Sequence, residues 1–206
     1  MKRITFVLKI NGADRASAIE AVRALKGEFE AACKAFDVEN FSVWHMEQYL
    51  FGYGENNSED MTCFDGVFAR LPEDVELVCK PGSMRLMYHD LGVVRKDKSL
   101  IRHRVFATRL KPNCEEEYKR RHDGLIEARG DTIKEGPESD FTIWYGDGHI
   151  FGYCELVRAF DGRMSIEEEH EASRAWETRQ LEIMDWLTDD MNWLTGEDHS
   201  PVERIM

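Results

Sequence analysis

Tyr118 and His122, four positions apart in Asn113-Cys-Glu-Glu-Glu-Tyr118-Lys-Arg-Arg-His122-Asp123, are the first residues whose types and spacing could do chemistry. An imidazole titrates near neutral pH and can give or take a proton, so His122 is a candidate acid or base. Glu155 is a candidate partner base, since a buried carboxylate at the end of a strand can accept a proton. His45 and Glu47, two apart on a strand, read instead as exposed polar residues on one face.

A helix must carry the Tyr118/His122 pair. Asn113 suits its N-cap, and Glu115, Glu116 and Glu117 favour the positive end of its dipole. On that helix Tyr118 and His122 share an inward face with Leu125 or Ile126. The competing reading makes both of them packed core residues. Arg120 and Arg121 are expected in solvent, because three consecutive polar residues cannot all point inward.

The strands around this helix belong to an internal repeat. Phe41 to Glu55 matches Phe141 to Glu155 without a gap at an offset of 100, with Phe, Trp, Phe, Gly, Tyr and Glu identical. Each half reads as strand, helix, strand, strand, helix. Arg3 to Ile10 and Arg104 to Leu110 open the halves, with Met1 to Ile10 patterned as a half-buried strand. Helices follow at Ala16 to Phe36 and Cys114 to Ala128. Hairpins then start at Phe41 and Phe141, with Gly146-Asp-Gly148 as a turn. A closing helix lies within Ile166 to Trp193, where Trp176, Ile183, Trp186, Leu187 and Met191 can share an apolar stripe. This order predicts an α+β fold of two tandem ferredoxin-like repeats, 1–95 and 101–206, forming a pseudo-dimeric α/β barrel. The charged stretch Leu91 to Arg102 is the expected linker. Trp44/Trp144 and Glu55/Glu155 recur in both halves, which favours structural roles.

Composition narrows the function classes. A net charge of −13, from 40 acidic and 27 basic residues, opposes a phosphate backbone or an anionic membrane as partner. No run approaches the roughly 20 apolar residues of a membrane span, and no secretory signal opens the sequence. The five cysteines form no C-x-x-C pair, which fits reduced thiols and a cytoplasmic protein.

The opening strand of the second half, the Glu-Tyr118-x-Arg-Arg-His122-Asp123 cluster, the Phe141 strand, Leu187-Thr-Asp-Asp-Met191 and Ser200-Pro201 resemble the L-rhamnose mutarotase family in order and spacing, over Ile101 to Met206. The resemblance implies a dimeric α/β barrel that interconverts the α and β anomers of a deoxy sugar, without cofactor or metal. It makes His122 the proton donor and Tyr118 a hydrogen-bonding contact to the sugar. The family's second-strand tyrosine aligns with Phe141 and its tandem tryptophans with Ile183 and Met184, with Trp186 one turn away. These four are the further expected substrate contacts. The expected substrate is L-rhamnose or a related 6-deoxy sugar such as L-fucose. At the offset of 100, Ala18 and Val22 replace Tyr118 and His122, so the first repeat stands in for the second subunit of a family dimer. Further homo-oligomerisation is left open. The alternatives are a non-catalytic sugar-binding or assembly module, or a small monooxygenase on the same barrel.

Overall fold

The computed structural model describes residues 2–58, 60–95, 97–133, 138–157, 167–188 and 202–206. The chain divides into two compact units, Met1–Met84 with Val202–Met206, and Arg85–Pro201. Each is built on an antiparallel five-stranded sheet with helices, an α+β fold. No helix among the described residues is long and apolar enough to cross a membrane.

The first unit runs β1 (Lys2–Ile10), α1 (Arg15–Arg23), α2 (Lys26–Phe36), β2 (Val38–Met46), β3 (Tyr49–Asn56), α3 (Asp65–Phe68) and β4 (Val75–Cys79). The second runs β5 (Arg85–Gly92), β6 (Ile101–Leu110), α4 (Glu115–Arg129), β7 (Glu138–Gly146), β8 (His149–Val157), α5 (Glu167–Gln180) and β9 (Met184–Thr188). The chain then supplies β10 (Glu203–Arg204) to the first sheet.

The strand orders are β10-β2-β3-β1-β4 and β5-β7-β8-β6-β9. Each half of the sequence therefore contributes its fifth strand, β5 or β10, to the sheet built by the other half. The two units part between Met84 and Arg85, upstream of the charged stretch at 91–102, because β5 pairs with β7.

The offset of 100 reaches into the backbone. Register shifts fall at Glu39/Ser42 and at Ser139/Thr142. Left-handed residues stand at Asn40 and Asp140, both with φ 48°, and at Glu47 and Asp147 with φ 55° and 51°. Gly52 and Gly152 each lie under a phenylalanine of the neighbouring strand: an added Cβ would come within 2.2 Å of the Phe6 ring and 2.0 Å of the Phe106 ring.

Several elements differ from expectation. β1, an inner strand between β3 and β4, is buried on both faces from Ile4 to Leu8. The long first helix breaks at Ala24–Leu25, which turns Leu25 into the core. The first unit closes with only the four residues of α3. In the second unit α5 stops at Gln180, and Met184 to Thr188 pair with β6 as β9. An open sheet edge outweighed the helical spacing of Ile183, Trp186 and Leu187. Met191 and Ser200-Pro201 lie outside the described residues.

Candidate active site

The site begins at a turn. Lys111 accepts from the Cys114 amide at 3.2 Å, with Pro112 and Asn113 between them and Asn113 at φ 63°. Proline followed by a left-handed asparagine is the pattern of a type II turn. Asn113 thus redirects the chain one residue before the position expected of it; Cys114 precedes the first turn, and its side chain makes no capping bond. Three glutamates occupy that first turn, as expected.

On α4, Tyr118 and His122 face inward, 3% and 5% exposed. Their rings stack at 4.2 Å and 28°. Tyr88 meets the imidazole edge-on at 5.4 Å, and Trp176 does so at 5.3 Å and 86°. Phe141 lies against Tyr88 at 5.5 Å and against Phe106 at 6.1 Å. The histidine is held in an aromatic frame drawn from α4, β5 and α5.

Within this frame proton affinities move. His122 donates from Nδ1 to the Tyr118 carbonyl at 2.9 Å. Burial pulls its pKa down to about 4, so the ring is neutral at pH 7 with its acceptor at Nε2. Burial also pushes the Tyr118 phenol up, with the Glu177 carboxylate adding to the effect. Glu177 itself is pushed up to about 7 by desolvation, against the pull of the Arg104 guanidinium. A neutral imidazole and a carboxyl that titrates near neutrality therefore both sit in Tyr118's surroundings. One can accept a proton while the other gives one.

The sequence reading missed Glu177 because α5 is rich in glutamate and nothing in its spacing separates this one. Tyr88 was missed because it comes from β5, on the far side of the expected linker. In the sequence Trp176 belongs only to an apolar stripe.

Arg121 corrects an expectation. Its side chain is 6% exposed, ion-paired with Glu117 at 2.7 Å and Glu182 at 2.9 Å, and bonded to the Arg179 carbonyl. It ties α4 to the end of α5. Arg120 is exposed, as expected, and pairs with Glu117.

Of the other expected site residues, Phe141, Ile183 and Met184 join Tyr118 in one apolar cluster. Trp186 lies opposite Thr108 in β9, and its side chain is outside the described residues. Glu155 is not brought to His122. Strand alternation puts it on the face of β8 shared by Tyr153, whereas Ile150 faces the cluster holding Tyr118. Its carboxylate is taken up by Lys98 and by the Tyr153 hydroxyl at 3.3 Å. Glu55 repeats this with Tyr53 at 3.3 Å and Asn40 at 2.8 Å. His45 donates to the Glu47 carbonyl at 2.7 Å across the hairpin turn.

The family model of L-rhamnose mutarotase matches residues 103–205, from within β6 past β10. The chain belongs to the L-rhamnose mutarotase family. The L-rhamnose mutarotase of Burkholderia orbicola is 29% identical over 102 residues, covering 50% of this chain and 89% of that protein. That of Burkholderia cenocepacia is 28% identical over the same length. A provisionally named monooxygenase of Fusobacterium nucleatum superposes with a TM-score of 0.50 at 10% identity, over 99% of this chain and 93% of that one. At that identity the likeness concerns fold alone.

The mutarotase match thus contains Tyr118, His122, Trp176 and Glu177, while Tyr88 precedes it. Residues 1–84 of the first unit also lie outside the match, and no such chemistry stands at their equivalent places. Ala18 and Val22 are buried in an apolar cluster with five phenylalanines, among them Phe29 and Phe41 at 5.3 Å and Phe41 and Phe64 at 5.0 Å. A filled phenylalanine core stands where the second unit holds a histidine.

Proposed function

We propose that the second unit is a mutarotase that interconverts the α and β anomers of L-rhamnose or a closely related 6-deoxy sugar such as L-fucose. The observation that carries this reading is His122 itself, bonded through Nδ1 to the Tyr118 carbonyl and framed by aromatic rings, on the helix that the family match covers.

Mutarotation opens a pyranose. A base removes the proton of the anomeric hydroxyl, an acid protonates the ring oxygen, the bond between C1 and the ring oxygen breaks, and the free aldehyde rotates before closure. In our reading His122 Nε2 takes the anomeric proton and the Glu177 carboxyl supplies one to the ring oxygen. The pair exchanges these roles on closure. Family resemblance alone makes His122 the donor, but a ring that is neutral at pH 7 serves first as acceptor. The frame of Tyr88, Tyr118 and Trp176 offers faces for the apolar side of a sugar and excludes water. The first and second units read as diverged copies of one ancestral repeat, only one of which kept the acid/base residue.

A second reading, a non-catalytic sugar-binding module, draws on Ile183 and Met184, which fill the cluster with aliphatic bulk. Saturation-transfer proton NMR on L-rhamnose and L-fucose at anomeric equilibrium separates the two. Exchange above the buffer rate that disappears in folded His122→Ala supports the mutarotase; binding without exchange supports the module.

A further inference from the structure

Two buried polar side chains beside the aromatic frame make no hydrogen bond among the described residues. Gln180, 1% exposed, leaves both Oε1 and Nε2 unbonded, and Thr108, 1% exposed, leaves Oγ1 unbonded. Such groups pay for lost water without recompense, and a leucine or valine of similar shape would fill the same space without that penalty. Each such group calls for an explanation.

Their placement bears on that explanation. Gln180 follows Trp176 by four positions on α5, so it lies on the helix face whose tryptophan touches His122. Thr108 pairs with Ile150, which belongs to the cluster around Tyr118, so its side chain projects from the same sheet face. The two elements meet at this corner. The Ile183 amide bonds the Gln180 carbonyl at 2.9 Å, the Lys111 amide bonds the Ile183 carbonyl at 2.9 Å, and Met184 pairs with Leu110.

We infer that Gln180 and Thr108 hold the hydroxyl groups of a neutral polyhydroxylated ligand and set which sugar is accepted. This rests on the mutarotase reading and deepens it. A carboxamide donates twice and accepts, and a hydroxyl does both, so together they suit adjacent sugar hydroxyls, each of which needs a donor and an acceptor. An apolar aromatic ligand would leave all three atoms unmatched, which argues against a monooxygenase-type substrate. Sites built to bond a hydroxyl reject analogues that lack it far more strongly than apolar pockets reject an extra methylene.

The test compares wild type with Gln180→Leu and Thr108→Val by thermal unfolding without ligand, by titration with L-rhamnose, and by anomer exchange. Ligand-holding groups give variants that melt at or above the wild-type temperature when empty, yet bind L-rhamnose about tenfold or more weakly, with the loss in KM. Deoxy analogues missing one ring hydroxyl then bind wild type weakly and the cognate variant no worse. If either leucine or valine variant folds with unchanged sugar affinity and unchanged discrimination among the analogues, this inference is overturned while the mutarotase reading stands. Wild type that neither binds nor exchanges any aldose overturns both.

Discussion

His122 Nδ1 lies 2.9 Å from the Tyr118 carbonyl oxygen, one turn earlier on the same helix. A carbonyl only accepts, so this bond fixes the proton on Nδ1 and leaves Nε2 as the ring's acceptor. The helix backbone thus selects the tautomer that a base needs.

From this follows the behaviour of His122→Asn. The amide can still donate to Tyr118, so the fold should persist by circular dichroism. Anomer exchange on L-rhamnose should fall by about 10²–10⁴-fold, the usual worth of a positioned acid or base. A variant retaining most of the exchange would remove His122 from the mechanism.

The pH profile should carry the mark of Glu177. With its carboxyl pushed up to about 7 and His122 down to about 4, exchange should be sustained between these values and decline above 7 as the acid ionises. Glu177→Gln should be slower throughout and lack that alkaline decline. The same decline persisting in the variant would point to another acid.

Stability should respond in opposite senses to the two groups. For His122 the folded pKa lies below the ordinary imidazole value of 6.5, so an unfolded chain takes up the proton first and stability falls as pH drops from 6.5 toward 4. For Glu177 the folded pKa lies above 4.5, so its contribution is full below 4.5 and is lost as pH rises through about 7. Urea unfolding of Glu177→Gln should therefore gain on wild type by about 2–3 kcal/mol between pH 4.5 and 7. A difference that stays flat with pH would mean that Glu177 is not held in a desolvated place.

The paired glycines offer a test of packing. Gly52→Ala drives a methyl into Phe6, fully buried and ringed by Phe29, Phe41, Phe64 and Phe68, so about 2 kcal/mol or more should be lost. Phe106 is less enclosed at 8% exposure, so Gly152→Ala should cost less, and Phe106→Leu should absorb much of that cost. Denaturation midpoints of the single and double variants decide it; equal losses at both sites would mean that the two rings are equally fixed.

Much of this was legible in the sequence because it is written locally. The hairpin beginning at Phe141 repeats the one at Phe41, and the spacing of Tyr118 and His122 gives their shared face. What was hidden depends on partners far along the chain. Arg121 looks solvated beside two other polar residues, yet Glu182 and the Arg179 carbonyl, far along the chain, join Glu117 in satisfying its buried guanidinium. The stretch from Met184 has helical spacing, yet the open edge of β6 makes it a strand. Asn113 has the side chain of a cap, but the turn after Pro112 uses its tolerance of positive φ instead.

The exchanged fifth strands bear on how this protein can be cut. A fragment limited to residues 103–205 would carry the mutarotase signature and His122, yet it would lack Tyr88, which reaches the imidazole from β5. It would also bring β10 with no β2 to receive it. In this chain the family segment taken alone is therefore incomplete, and the first half of the sequence supplies Tyr88 to the aromatic frame around His122.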